Sequence, residues 1–420
     1  MAFLESRIGR VRVAEQASWG TAATVADANT IECEITYPNV VTEAISVDAI
    51  RGAYHSPTIA AGSEVGATFS MRIPMHGFSS ATPTGTPAEH PDALLLKHAM
   101  GGSDLGGYAA AAADLTGGHA SGNNITLANG TTGPFHVGSA IMVPVAGTTG
   151  DPWSVGWIQN LNSAGSDFLD FIGPMGAQAH TEGQIYGSNT CYVTNGYAFS
   201  PLTVRWTGVT SEASITLFDC VVTSCKVTAN PKEQCMLEVE LFARQWTNDG
   251  AGGAPGVYAQ TFPQLRVAMD NAVGSHATTY TRLTRHASVG AETTTAIHAF
   301  SFEMDITTSW AQIGSHHAPQ GVHRFHPTNR EIALSVVSPC DDTCSTDVPG
   351  TSRGSIQLDL VSSPGQSLSI LLPSAILAEQ ETVGDQDGVV ATTSSYVAGS
   401  YTSDTVSTNA ANSIARIAFL

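Results

Sequence analysis

Polar and apolar residues alternate with a period of two along most of the chain, in runs rich in Val, Ile, Thr and aromatic residues that stop at Gly, Pro, Asn or Asp. Successive side chains of a strand point to opposite faces, so this periodicity predicts a mainly β protein. The runs cover 7–13, 31–37, 65–75, 190–199, 202–206, 214–218, 220–228 and 235–246, then 299–307, 331–337, 355–361, 367–372, 389–396 and 413–419. One short helix is predicted at Pro91–Met100, where Asp92 can cap the first turn and Gly101-Gly102 supply the stop. A helix this short must rest on a larger body to be stable.

Two stretches break the pattern. Between residues 106 and 188, short apolar segments (124–127, 140–145, 154–159, 168–172) alternate with Gly-rich turns, as in a small inserted β-barrel-like or meander domain. Residues 249–256, Asp-Gly-Ala-Gly-Gly-Ala-Pro-Gly, have the composition of a linker. The expected organisation is therefore a first β domain from 1–105 and 189–248, the inserted domain at 106–188, and a second β domain at 257–420.

Four strands share one polar pattern. Glu32 and Glu34 alternate with Cys33 and Ile35, and Glu238 and Glu240 with Leu237, Val239 and Leu241. Glu303 and Asp305 alternate with Phe302, Met304 and Ile306, and Gln357 and Asp359 with Ile356, Leu358 and Leu360. Residues i and i+2 share a sheet face, so each strand presents an apolar side to a core and an acidic or polar side elsewhere. Two such strands fall on each side of the linker, which hints at an internal duplication. Either these strands build a continuous acidic surface, or they are ordinary solvated sandwich faces, with Arg72, Arg205 and Lys226 available to pair with the carboxylates.

Charge narrows the function classes. The 420 residues carry 17 basic and 36 acidic side chains, a net charge of -19, and the only lysines are Lys97, Lys226 and Lys232. A duplex binder neutralises phosphates with clustered cations, and no basic run exists here. An acid-rich environment or an Arg-favouring genome is an alternative contributor to this bias. Only 13% of residues are charged, which excludes a coiled coil, while 42% hydrophobic content supports a packed core. No apolar run reaches the roughly 18 residues of a membrane span, and charges within the first twenty residues leave no place for a signal-peptide core.

Candidate chemistry is sparse. Gly350-Thr351-Ser352-Arg353-Gly354 fits G-x-S-x-G but precedes a strand rather than a helix, so it is a chance match. His316, His317, His323 and His326 form the densest histidine cluster, without a carboxylate or Cys at matching spacing; a polar loop leading into 331–337 is the expectation. Asp385-Gln386-Asp387-Gly388 lacks the flanking carboxylates of a calcium loop and reads as a hairpin turn. Seven scattered cysteines include Cys33, Cys220, Cys225 and Cys235 in strand-like runs, expected as buried free thiols, and Cys340 and Cys344 in a loop where a local disulfide is one option. No catalytic, cofactor or metal site is expected. An acidic-pair hydrolase is the weakest reading, because i, i+2 carboxylates simply share a strand face.

Several stretches resemble the tail tube (major tail) proteins of long-tailed bacteriophages. They are Glu15-Gln16-Ala17-Ser18-Trp19-Gly20-Thr21-Ala22, a long loop at 39–62 followed by a returning strand, and the short helix Pro91–Met100. Further on come Leu217-Phe218-Asp219-Cys220-Val221-Val222-Thr223-Ser224-Cys225 with Leu237-Glu238-Val239-Glu240-Leu241, then Leu368-Ser369-Ile370-Leu371-Leu372-Pro373-Ser374-Ala375, and the last strand. The resemblance implies a tail-tube-type β-sandwich or barrel, here as two tandem tube folds. It implies a structural virion protein of the tail, assembled in the host cytoplasm, whose rings stack into a conduit for DNA. Its partners would be itself, as a hexamer or a pseudo-hexameric trimer, and other tail proteins, with DNA passing unbound and no membrane. The lumen-facing candidates are Glu32, Glu34, Glu238, Glu240, Glu303, Asp305 and Asp359; the ring-stacking loop candidates are Glu43, Asp48, Arg51 and Tyr54. The alternative is another virion β-protein, a capsid decoration or glycan-binding adhesion module.

Overall fold

The computed structural model describes residues 9–26, 29–36, 39–42, 45–47, 58–60, 64–76, 91–105, 124–126, 137–144, 153–162, 168–171, 186–193, 199–208, 214–231, 233–248, 280–286, 294–296, 299, 301–314, 322–339, 353–361, 366–386, 389–399 and 413–420. The first strands are β1 (Gly9–Glu15), β2 (Thr30–Ile31), β3 (Glu34–Ile35), β4 (Asn39–Thr42), β5 (Ile45–Val47), β6 (Thr58–Ala60) and β7 (Glu64–Pro74). After helix α1 (Pro91–Met100) come β8 (Gly101–Leu105), β9 (Asn124–Thr126), β10 (Ala140–Pro144), β11 (Trp153–Asn162), β12 (Phe168–Phe171) and β13 (Tyr186–Gly187). β14 (Asn189–Val193), β15 (Leu202–Gly208), β16 (Ser214–Ala229) and β17 (Met236–Asn248) complete the stretch before the linker. Beyond it lie β18 (Tyr280–His286), β19 (Thr294–Ala296), β20 (Ser301–Gly314), β21 (Val322–Pro339), β22 (Arg353–Val361), β23 (Leu368–Gln386), β24 (Val389–Ala398) and β25 (Arg416–Phe419).

Most strands join one large antiparallel sheet. Its spine runs β3 and β4 on β7, then β17, β16, β20, β21, β24 and β23. Inward residues on the two sides of the linker share one core: Met71, Leu95, Cys225 and Val239 cluster with Phe302, Ile332, Leu358, Ile370 and Ile417. Burying each large apolar side chain contributes about 1.5–3 kcal/mol. The acidic alternation thus follows from one apolar face being held against this core.

Helix α1 has the predicted limits. Leu94, Leu95, Leu96, Ala99 and Met100 are all buried, so the helix lies within the core rather than on its surface. Asp92 in its first turn accepts the His76 backbone N–H at 2.9 Å. Gly101 adopts φ 93°, the left-handed conformation that ends many helices. Arg330 Nη1 donates to the Met100 carbonyl at 3.0 Å, a cation on the negative end of the helix.

The inserted stretch forms its own five-stranded sheet, in the order β13-β10-β11-β12-β9. Its Met142, Val155 and Trp157 pack against Val361, Leu371, Ala418 and Leu420, and Trp157 Nε1 donates to Ser369 Oγ at 2.9 Å. It therefore covers the outer side of β22, β23 and β25.

Other expectations change. The runs 214–218 and 220–228 are one strand, β16, carried through an irregularity at Asp219, whose φ is 54°. Buried Asp219 is held by three partners: Oδ1 accepts from Gly20 N at 2.8 Å and Gln16 Nε2 at 3.2 Å, and Oδ2 from Arg244 Nη2. The Asp219 N–H returns a bond to Gln16 Oε1 at 2.7 Å. Local hydrogen bonding of this kind is what lets Asp occupy the left-handed region. The run 31–37 splits into β2 on β1 and β3 on β7. The histidine segment is not a loop from Val322 onward: His323 and His326 lie in β21, next to buried Phe325, which packs on Trp19 and Phe242 at centroid distances of 5.8 and 5.5 Å. β23 and β24 pair Gln386 with Val389, and the expected turn at Asp387-Gly388 lies outside the described residues. His316, His317, Cys340, Cys344 and Ser352 lie outside the described residues.

Candidate functional site: a carboxylate-bearing sheet face

One transverse row crosses the spine. Glu34 lies opposite Arg72, Arg72 opposite Glu238, Glu238 opposite Lys226, and Lys226 opposite Asp305. The row continues through Ala333 to Val397. Residues two positions away along each strand share this face, and they bring Glu240 of β17, Glu303 of β20, Glu331 of β21, and Glu379 and Glu381 of β23. Among the described residues, eight carboxylates (Glu34, Glu238, Glu240, Glu303, Asp305, Glu331, Glu379, Glu381) share the face with two cations, Arg72 and Lys226. Over β3, β7, β17, β16 and β20 the surface is concave, lined by residues from Glu34 to Asp305.

Both cations are engaged. Arg72 Nε stands 3.1 Å from Glu238 Oε1, and Lys226 Nζ stands 2.6 Å from Glu303 Oε1. The hydrogen bond to Glu303 is the largest influence on Lys226 and raises its pKa; burial opposes this, and the charges of Glu303, Glu238 and Asp305 add to the rise. These pairs are about half exposed or one-third exposed, so each contributes about 0–1 kcal/mol to stability. Their larger consequence is electrostatic: the two cations of the face are neutralised, and the remaining carboxylates set its sign. Ser224 Oγ also donates to Asp305 Oδ1 at 3.3 Å.

Glu32 and Glu34 are exposed, but Glu32 precedes β3 and turns toward the helix, with Oε2 3.5 Å from Nε2 of buried His76. His76 Nδ1 lies 3.3 Å from Asp92 Oδ2. Burial by itself lowers the His76 pKa, but its hydrogen bond to Asp92 and the charges of Asp92 and Glu32 outweigh this and raise it.

Asp359 is a correction. It is fully buried, accepting from Gln357 Nε2 at 2.9 Å and Ser369 Oγ at 2.6 Å, so it does not line any open face. The inserted sheet covers the polar side of β22, a tertiary event invisible to strand alternation. Arg205 also departs from the acidic face: its Nε donates to Ser214 Oγ at 3.1 Å. Glu331, Glu379 and Glu381 belong to the face although sequence reasoning passed over them. The i, i+2 spacing of Glu379 and Glu381 carried the signal, beyond the predicted end of that strand at 372. Glu43, Asp48, Arg51 and Tyr54 lie outside the described residues; near them, β4 pairs with β7, and β5 with β6.

Cys191, Cys220, Cys225 and Cys235 are buried and Cys33 half-buried, all as free thiols. Burial, then nearby carboxylates, pushes Cys33 and Cys235 up to about 12, so they are protonated and unreactive at neutral pH. No group of three or more His, Cys, Asp or Glu suited to a metal ion occurs among the described residues. Nor is any described helix long and apolar enough to cross a membrane. No protein-family model matches this chain, and no curated protein matches it significantly.

Proposed function

We propose that this chain is a structural virion protein that assembles, copy beside copy, into stacked rings of a phage tail tube, with its acidic sheet face lining the bore. The observation that carries this reading is the continuous spine face, on which eight described carboxylates outnumber two cations that are both already paired. A conduit for DNA must not hold its cargo, and each unpaired Lys or Arg facing a phosphate adds sequence-independent affinity. A smooth strand surface bearing like charge keeps a polyanion away from the wall. The resemblance of the 15–22, 217–225 and 237–241 stretches to tail tube proteins points the same way. Two of these stretches meet in the fold, where Gln16 and Gly20 bond to Asp219.

In this reading each side of the linker supplies one tube fold, so three copies give a pseudo-sixfold ring. Electron microscopy of the purified protein tests it. Stacked rings with a central hole are the expected result; particles that stay dispersed at high concentration under every salt condition refute it.

A further inference from the structure

The two sides of the linker repeat one strand order. In the first part the spine strands are, in chain order, β3 with β4, β7, β16 and β17, and they lie side by side as first, second, fourth, third. In the second part β20, β21, β23 and β24 also lie as first, second, fourth, third. The irregularities repeat as well. The third strand of each part pairs over its early half with the preceding strand, β15 on β16 and β22 on β23. Each then shifts register against the fourth strand, between Val222 and Ser224 in β16 and between Leu377 and Glu379 in β23.

Past that shift the two parts differ in one respect. β16 pairs with β20 from Ser224 to Ala229, joining the parts. The matching stretch of β23, residues 379–386, pairs with β24, and no other described strand pairs with it. The counterpart of β20 is β3 with β4, which pairs with β7 and with no other described strand. Among the described strands the chain thus holds one complete junction and the two unjoined halves of a second.

We infer that these halves meet between copies: the 379–386 edge of one chain pairs antiparallel with the β3–β4 edge of the next, repeating the β16–β20 junction. The inference rests on the self-assembly reading above and names the surfaces that perform it. An open strand edge is a template for pairing, and a head-to-tail contact of unlike edges closes into a ring when its rotation permits. The register shifts locate the contact. Matching Ser224 to Glu379 places Glu381 where Lys226 stands. Matching Ser70 to Ser335 places Thr36, which bonds Ser70, where Glu303 stands opposite Ser335. Lys226 and Glu303 touch across the internal junction. Thr36 and Glu381, both exposed, should therefore be neighbours across the junction between chains.

Two singly substituted full-length proteins test this, Thr36→Cys and Glu381→Cys, mixed and treated with a short bis-maleimide. The expected product is a band at twice the chain mass on a denaturing gel, from the mixture and from neither protein alone. The unsubstituted chain, with its half-buried Cys33, sets the background. A chain carrying Lys226→Cys and Glu303→Cys should cross-link internally without a change of mass. Self-cross-linking of either single variant, association without the mixed product, or a chain that remains monomeric throughout overturns the inference. Rings that form without the mixed product overturn the edge assignment and leave the conduit reading standing. Cross-linked filaments lacking a central hole refute the conduit reading and keep the edges.

Discussion

Asp219 offers the sharpest energetic test of how the fold is held. Its carboxylate is fully buried and faces Arg244, which is itself 3% exposed. Asp219→Asn preserves the shape, the tolerance for φ 54° and an acceptor for Gly20 and Gln16, but removes the charge and turns an amide NH2 toward Arg244 in place of the oxygen that accepts from it. Loss of one neutral hydrogen bond would cost about 1 kcal/mol. Depriving a buried guanidinium of its counter-charge costs about 3–5 kcal/mol, and this larger figure is the expected one. Asp219→Ala should lose a further ~1–2 kcal/mol, because Ala has neither the acceptors nor an easy left-handed conformation. Urea unfolding followed by tryptophan fluorescence measures both, with an unchanged slope expected if only the native state is weakened. The double variant Asp219→Asn with Arg244→Met should recover most of the loss, since neither charge is then left alone in the interior. An Asp219→Asn protein within about 1 kcal/mol of the parent, or a double variant no better than its weaker single, would refute the argument.

Four more outcomes are expected. His98, buried beside the Phe199 and Trp310 rings, is pushed down to about 4 first by burial and then by Arg330. Because the unfolded chain takes up this proton near 6.5, the contribution is full above that value and is lost as pH falls toward about 4; it amounts to about 3 kcal/mol, and His98→Phe should flatten the stability profile there. His76, whose pKa is raised, acts oppositely: it stabilises below its unfolded pKa and ceases to do so as pH rises through the folded value, so His76→Gln should remove the acid-side gain. Gly66 has φ 148°, and a Cβ there would lie 2.2 Å from Phe242 Cζ and 2.7 Å from the Ala243 carbonyl oxygen, so Gly66→Ala should lower stability by about 1–3 kcal/mol in the same urea titration. Replacing Glu238 and Glu240 by Lys should leave assembly intact yet create DNA binding that weakens with salt, by a logarithmic slope of about 0.9 for each phosphate engaged, and should impair DNA delivery; unaltered delivery would sink the lumen assignment.

How far the sequence revealed the structure depended on whether a strand's surroundings were local. Helix α1 was legible because its start and stop signals lie within a few residues of its ends. Glu238, Glu240, Glu303 and Asp305 were legible because alternation against a core directly sets their face. Asp359 obeys the same alternation and is buried, because a sheet distant in sequence packs over it. β18 (Tyr280–His286) escaped notice since Leu283 is its one buried aliphatic residue. The polar outer parts of β20 and β21 also escaped. They are held by aromatic contacts and by the Trp310 Nε1 bond to the Val222 carbonyl, at 2.7 Å, across a strand far back in the chain. Finally, the break read at Asp219 marked a real irregularity, but the bonds that carry β16 through it come from Gln16, Gly20 and Arg244.

The placement of β25 bears on how the molecule is made. Residues 416–419 lie between β23 and β14, and β14 belongs to a segment that leaves the ribosome on the order of two hundred residues earlier. Likewise, β16 lacks its β20 neighbour until translation has passed the linker. Synthesis must therefore pass residue 419 before the body can set, and the nascent portion waits with its seams open. Any cellular helper that shields exposed strands would be needed during that interval, and dispensable once the late strand has slotted home.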